Sequence, residues 1–113
     1  MKREQRLRTP AEFRRVRELA RRGWPHALLV LYVAPNDLER ARVGITVSSR
    51  VGNAVVRNRV RRRLREALRE RYAALPASSD LIVSARPASA DASWAELCQA
   101  LDGVLARSRG VQP

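Results

Sequence analysis

One segment constrains the fold more than any other. From Arg40 to Arg65 the chain carries nine arginines and not one aspartate or glutamate, and within that stretch its apolar residues change period. Val43, Ile45 and Val47 alternate with Gly44, Thr46 and Ser48, a two-residue repeat that predicts a strand over Arg42 to Ser48. From about Asn53 the repeat becomes helical: Val56, Val60, Leu64, Ala67 and Leu68 form one stripe, with Asn58, Arg61, Arg62, Arg65 and Arg69 on the opposite face. One face has to be core and the other wet. A strand followed by such a helix needs a sheet for the stripe to cover, which points to an α/β arrangement.

The flanking sequence supplies the other elements. Thr9, Pro10 and Glu12 make a T-x-x-E capping box with proline at the first helical position, and Phe13, Val16 and Ala20 share one face of the helix it starts. Gly23, Trp24 and Pro25 end that helix, and a short extra strand fits Gly23 to His26. Leu28 to Val33 is an aliphatic run stopped by Pro35, Asn36 and Asp37, and it is expected to pair antiparallel with the Arg42 to Ser48 strand. Pro76 to Ser79 is a connector, and Leu81, Ile82 and Val83 form a short buried strand running into Ala85, Arg86 and Pro87. Ser93 and Glu96 make a second capping box, opening a helix whose apolar face is Trp94, Leu97, Cys98, Leu101, Val104 and Leu105. The expected fold is a single-domain α/β (α+β) two-layer sandwich in the order α-β-β-(β)-α-β-α. It spans 1–113, with about 1–8 and 108–113 expected to be flexible.

Composition narrows the function. Twenty-three basic against 11 acidic residues leave a formal charge of +12 on 113 residues, a field that calls for a polyanionic partner. Lys2 is the only lysine, an arginine bias that codon usage in a GC-rich genome explains more simply than chemistry does. Cys98 is the only cysteine and His26 the only histidine, which excludes an internal disulfide and any zinc site built on several Cys or His ligands. His26 has no acid or nucleophile at motif spacing, so a structural or surface role is expected. With no long apolar run and no signal-peptide core, a cytoplasmic protein with no membrane contact is expected.

Six of the nine arginines crowd into Arg57 to Arg65, where each close like-charge pair costs on the order of a few tenths of a kcal/mol. A merely solvated helix face normally mixes signs, as Glu66, Arg69, Glu70 and Arg71 do just downstream. That contrast within one helix marks the upstream half as a binding surface. Gly52 before Asn53 also frees the backbone to bring the first helical N–H groups near a phosphate, although both are ordinary turn residues.

The segment V-G-I-T-V-S-S-R-V-G-N-A-V-V-R-N-R-V-R-R-R-L-R-E, Val43 to Glu66, resembles the signature of the bacterial ribonuclease P protein family. Its R-N-R motif is Arg57, Asn58 and Arg59, and E-F-x-x-V (Glu12 to Val16), L-Y (Leu31, Tyr32) and A-R-P (Ala85 to Pro87) follow the family's order. The resemblance implies a ribosomal-protein-like fold with a left-handed β-α-β crossover. It implies a subunit that binds a catalytic RNA and the 5′ leader of precursor tRNA while the RNA carries out the endonucleolytic cleavage. No catalytic or metal-binding protein side chain is implied, no cofactor is held by the protein, and Mg2+ is used by the holoenzyme through the RNA. Arg50, Asn53, Arg57, Asn58, Arg59 and Arg62 would contact the catalytic RNA, and Phe13, Tyr32, Arg61 and Arg65 the leader. No obligate protein partner is implied. Two positions depart from the family pattern: Arg17, where a second aromatic is frequent, and Ser49, where lysine is common.

Three other functions compete. A general RNA-binding protein fits the composition equally well but not the R-N-R context. A stand-alone nuclease would need clustered carboxylates or a His/Lys acid–base pair, and the acidic residues are scattered. A DNA-reading helix would carry side chains suited to base edges, whereas arginine alone suits phosphate. Without the resemblance, Phe13 and Tyr32 would be read as core, as Trp94 and Cys98 are.

Overall fold

The computed structural model describes residues 1–110. Both capping boxes form. Thr9 Oγ1 accepts from Glu12 N at 3.2 Å while Glu12 Oε1 accepts from Thr9 N at 3.0 Å, starting α1 (Pro10–Leu19). Ser93 and Glu96 do the same at 3.1 and 2.8 Å for α3 (Trp94–Gly110). Between them lie β1 (Gly23–Pro25), β2 (Leu29–Pro35), β3 (Arg42–Val47), α2 (Ala54–Arg71) and β4 (Ser79–Ala85). The short extra strand is β1, and α1 stops at Leu19, ahead of the expected Gly23.

The sheet order is β1-β2-β4-β3, which corrects one expectation: β2 and β3 are not hydrogen-bonded partners. β4 lies between them, antiparallel to β2 and parallel to β3. Leu81, Ile82 and Val83 are fully buried in succession, so β4 has apolar residues on both faces and belongs in the middle of the sheet. β3 carries Gly44 and Thr46 on one face and suits an edge. The β2–β3 loop passes the start of β4, where Asn36 N donates to Ser78 O and Asn36 Nδ2 to Asp80 Oδ1, at 2.9 and 2.7 Å.

The two faces of the sheet carry separate cores. Leu29, Leu31, Val43, Val47, Leu81 and Val83 face α2 and α3, where Val60, Leu64, Leu68, Leu97, Leu101 and Val104 are buried. Ile82 and Ala34 face the other way, under Val16 of α1 and Leu7, with Phe13 and Tyr32 partly buried beside them. Trp94, expected in the core, is instead 39% exposed at the first residue of α3. Cys98 is only partly buried.

The chain's beginning makes defined contacts with the sheet. Arg3–Gln5 forms a 3-10 turn, Arg6 bridges Val43 in parallel, and Leu7 N donates to Val43 O at 2.9 Å. Leu7 is buried, and Arg6 and Leu7 dock the N-terminal segment against β3. Helix α3 continues through Ser108 to Gly110, while residues 111–113 of the expected flexible end lie outside the described residues.

Candidate nucleic-acid interface

Helix α2 opens at Asn53, whose Oδ1 accepts from Val56 N at 3.0 Å. Asn53 therefore caps the helix with one side-chain atom and keeps its amide N–H groups outward. Val60, Leu64, Ala67 and Leu68 are buried as the stripe requires, and this fixes where every arginine points.

The arginines divide among three directions. Arg57, Arg61 and Arg65, four residues apart, follow the flank nearest β3 and the N-terminal segment. Arg59 and Arg63 follow the other flank, where they donate to Ala90 O at 3.2 Å and Ala92 O at 3.0 Å in the connector before α3. Asn58 and Arg62 face outward, and Asn58 Oδ1 accepts from Arg61 at 3.0 Å. Arg62 is exposed, as is Arg50 in the turn after β3. The Nε of Arg57 is buried and has no acceptor among the described residues. The six expected catalytic-RNA residues thus lie along one helix and its leading turn, but not on one face: Arg59 is drawn toward the connector.

The expected leader residues are brought together in part. Phe13 and Arg65 line one cavity of about 260 Å³ beside Gly44 and Ile45 of β3. Tyr32 packs with Phe13 on the α1 face of the sheet without lining that cavity, and Arg61 lies one turn before Arg65. Gly44 is needed for this arrangement, since a Cβ there would stand 2.5 Å from the Phe13 ring. Any side chain at this position would have to displace the Phe13 ring and the end of Leu7.

Three residues to which the sequence reading gave no joint role tie α1 to the sheet: Arg42, Glu12 and Asp80. Arg42 pairs with Glu12 of α1 at 2.9 Å and with Asp80 of β4 at 2.8 Å. Asp80 is 1% exposed, and removing one partner of a buried pair typically costs about 3–5 kcal/mol. The Asp80 hydrogen bond raises the Arg42 pKa, and the hydrogen bond from the Arg8 backbone N–H holds the Glu12 carboxyl below its ordinary value. Arg42 at the start of an alternating strand, opposite a lone Asp before an apolar run, was the signal available.

Electrostatically the upstream half of α2 stands alone. Among the described residues the ion pairs join Arg42 to Glu12 and Asp80, Arg69 to Glu66, and Arg71 to Glu70 and Asp102. None reaches an arginine between Arg50 and Arg65. No group of three or more His, Cys, Asp or Glu that could hold a metal occurs among the described residues, and no described helix is long and apolar enough to cross a membrane. His26 is exposed, and its Nδ1 accepts from Leu28 N at 3.0 Å in the β1–β2 turn.

A single mixed sheet with helices on both faces, one of them presenting arginines that form no ion pair among the described residues, defines a small basic α+β protein with an open cationic surface. The chain belongs to the ribonuclease P protein family, whose model matches residues 1–109. It is 44% identical over 109 residues to the ribonuclease P protein component of Herpetosiphon aurantiacus, covering 96% of this chain and 88% of that one. The corresponding protein of a Nocardioides species is 46% identical over 104 residues, covering 90% and 89%. The solved RNase P protein of Staphylococcus aureus is 28% identical and superposes with a TM-score of 0.84, covering 93% of this chain and 95% of that one. The fold is shared as well with the Thermotoga maritima RNase P protein, at a TM-score of 0.81 and 24% identity, covering 90% and 96%.

Proposed function

We propose that the protein binds the catalytic RNA of ribonuclease P and the 5′ leader of precursor tRNA, and so aids endonucleolytic removal of the leader. The observation that carries this reading is the upstream half of α2, where Arg57 to Arg65 make no ion pair among the described residues. Cations held on a rigid helix without internal carboxylates gain most from phosphates, which release counterions on binding. Arg50, Asn53, Arg57, Asn58, Arg59 and Arg62 take the catalytic RNA. Phe13 and Tyr32, partly buried at the edge of a small core, offer ring surface to unpaired leader bases, with Arg61 and Arg65 for the leader phosphates.

Hydrolysis falls to Mg2+ held by the RNA, and the protein binds no cofactor of its own. Glu12 and Asp80 are paired with Arg42, and Glu66 with Arg69, so these three carboxylates are engaged in folding. The setting is the bacterial cytoplasm, with no membrane and no obligate protein partner.

The test is precursor-tRNA cleavage by a bacterial ribonuclease P RNA at low magnesium, with and without the protein, beside the protein alone. Protein-dependent 5′ maturation with no cleavage by the protein alone is expected. Absence of stimulation across several compatible RNAs would replace this reading with that of a general RNA-binding protein.

A further inference from the structure

A larger cavity, of about 560 Å³, opens at the far end of the sheet from the arginine-only half of α2. It lies where β2 ends and β4 begins, beside Ser79, whereas α2 starts beyond the end at which Val47 pairs with Ala85. The length of β4, Ser79–Ala85, separates the two by about 20 Å. Its lining is mainly apolar: Trp24 of β1, Val33 and Pro35 of β2, and Pro76 of the connector before β4. Leu19, the last residue of α1, lines it as well and is 44% exposed. Apolar surface gathered in one concave place and rimmed by charge marks a contact with another molecule.

The charge is all of one sign. Arg21, Arg22 and Arg109 line the cavity, and among the described residues no aspartate or glutamate does. None of the ion pairs among the described residues reaches these three arginines. The Arg22 guanidinium lies 4.3 Å from the centroid of the Trp24 ring, and Arg109 donates to Ala74 O at 3.3 Å, so both are held in place by groups that leave their charge unneutralised. Cations and apolar lining together discriminate between occupants. An RNA strand would use the arginines but set its phosphates and sugars against Leu19, Val33, Pro35 and Pro76. A second copy of the chain would bring another formal +12 to the same arginines. An acidic protein segment with an aliphatic or aromatic anchor uses both features, since a tryptophan pocket rimmed by arginine is what such an anchor fills.

We propose that this cavity is a docking site for an acidic segment of a partner protein, with an apolar anchor seated against Leu19 and Trp24 and carboxylates on Arg21, Arg22 and Arg109. Its place at the opposite end of the sheet from Arg57 to Arg65 leaves it open while the arginine helix is on RNA. The partner is therefore recruited to the ribonucleoprotein through the protein subunit and is not needed for its assembly.

The test selects a random-peptide phage library on the full-length protein, then measures the enriched peptide, fluorescein-labelled, by anisotropy. Enriched sequences should combine Asp or Glu with a Leu, Ile, Phe or Trp anchor, and a scrambled peptide of the same charge should bind more weakly. Free protein and protein assembled on a bacterial ribonuclease P RNA should bind the peptide alike. Leu19→Ser should weaken it about tenfold. R21A/R22A should weaken it a fewfold and reduce its salt dependence, whereas R59A/R62A, which removes the same charge from α2, should leave the free protein's affinity for it unchanged. Assembly of Leu19→Ser and R21A/R22A with the catalytic RNA should match the wild type, which shows that they fold; if Leu19→Ser fails to assemble, R21A/R22A carries the test.

No enrichment of acidic sequences with an apolar anchor, or an enriched peptide indifferent to the cavity variants, would overturn the proposal. Release of the peptide on assembly with the RNA would overturn it by assigning the cavity to RNA. A dimer of the free protein that Leu19→Ser dissociates would overturn it in favour of a second copy. A chain ending at Gly110 should bind the peptide as the full chain does, and binding confined to the shortened chain would give the cavity to residues 111–113 instead.

Discussion

The two halves of α2 use the same residue for opposite ends. Downstream of Leu64, Arg69 is paired with Glu66, and Arg71 with Glu70 and Asp102, the latter tying α2 to α3 at 2.6 Å. Upstream, among the described residues, Arg59 and Arg63 reach only carbonyl oxygens, Arg61 reaches an amide, and Arg57 keeps a buried Nε without an acceptor. Both halves share one buried stripe, so packing does not distinguish them. What differs is where the neutralising charge comes from: the chain itself in one half, an external anion in the other. An arginine's role is set less by its position on a helix than by whether the fold provides it with a carboxylate.

The largest expected effect separates the halves by salt dependence. Replacing Arg57, Arg59 and Arg62 together by alanine should weaken catalytic-RNA binding, lowering the log–log salt slope by about 0.7 to 0.9 for each lost phosphate contact. Filter binding across a salt series measures this, and an unchanged slope would remove the assigned surface. Thermal stability should hold or rise slightly, because like-charge repulsion in the free protein is relieved.

Leu64→Ala, on the buried stripe common to both halves, should do the reverse. A loss of about 2–5 kcal/mol in urea unfolding is expected, with no change in the salt slope of the folded protein's binding. A changed slope would mean that packing and binding cannot be separated along this helix.

Smaller again is Arg71→Ala, which removes a half-exposed ion pair to Asp102 worth about 1 kcal/mol or less, and should leave RNA affinity alone. Loss of affinity there would extend the binding surface past Glu66 and erase the contrast.

The smallest effect is that of pH. The hydrogen bond from Arg69 lowers the Glu66 pKa below its ordinary 4.5, and the Ser93 backbone N–H does the same for Glu96. A carboxylate with a depressed folded-state pKa stabilises the fold above its unfolded value and loses that contribution as pH falls through the folded one. Melting temperature should therefore decline below about pH 4.5, and Glu66→Gln should flatten part of that decline. Salt-dependent binding by the arginine-only half should be the same in Glu66→Gln as in the wild type.

Local signals carried much of this into the sequence. Capping boxes act over three residues and helical stripes over four, so Thr9–Glu12, Ser93–Glu96 and Val60 to Leu68 were all legible. The central place of β4 follows from burial on both faces, a property of the assembled sheet that a run of Leu81, Ile82 and Val83 hints at but does not fix. Docking of the N-terminal segment rests on one apolar residue, Leu7, among polar neighbours, too little for a periodic pattern. The division of arginines between Ala90, Ala92 and open solvent depends on where the connector to α3 runs, which no spacing in α2 encodes.

The bridge between Arg6 and Val43 bears on self-association. A chain with a formal charge of +12 is kept apart from its copies by repulsion, and a polyanion that neutralises it removes that protection. β3 is an outer strand, and open strand edges are where copies of a protein add to one another. Its first part is covered by the chain's own beginning, so the edge nearest the arginine helix stays shielded when the charge is neutralised.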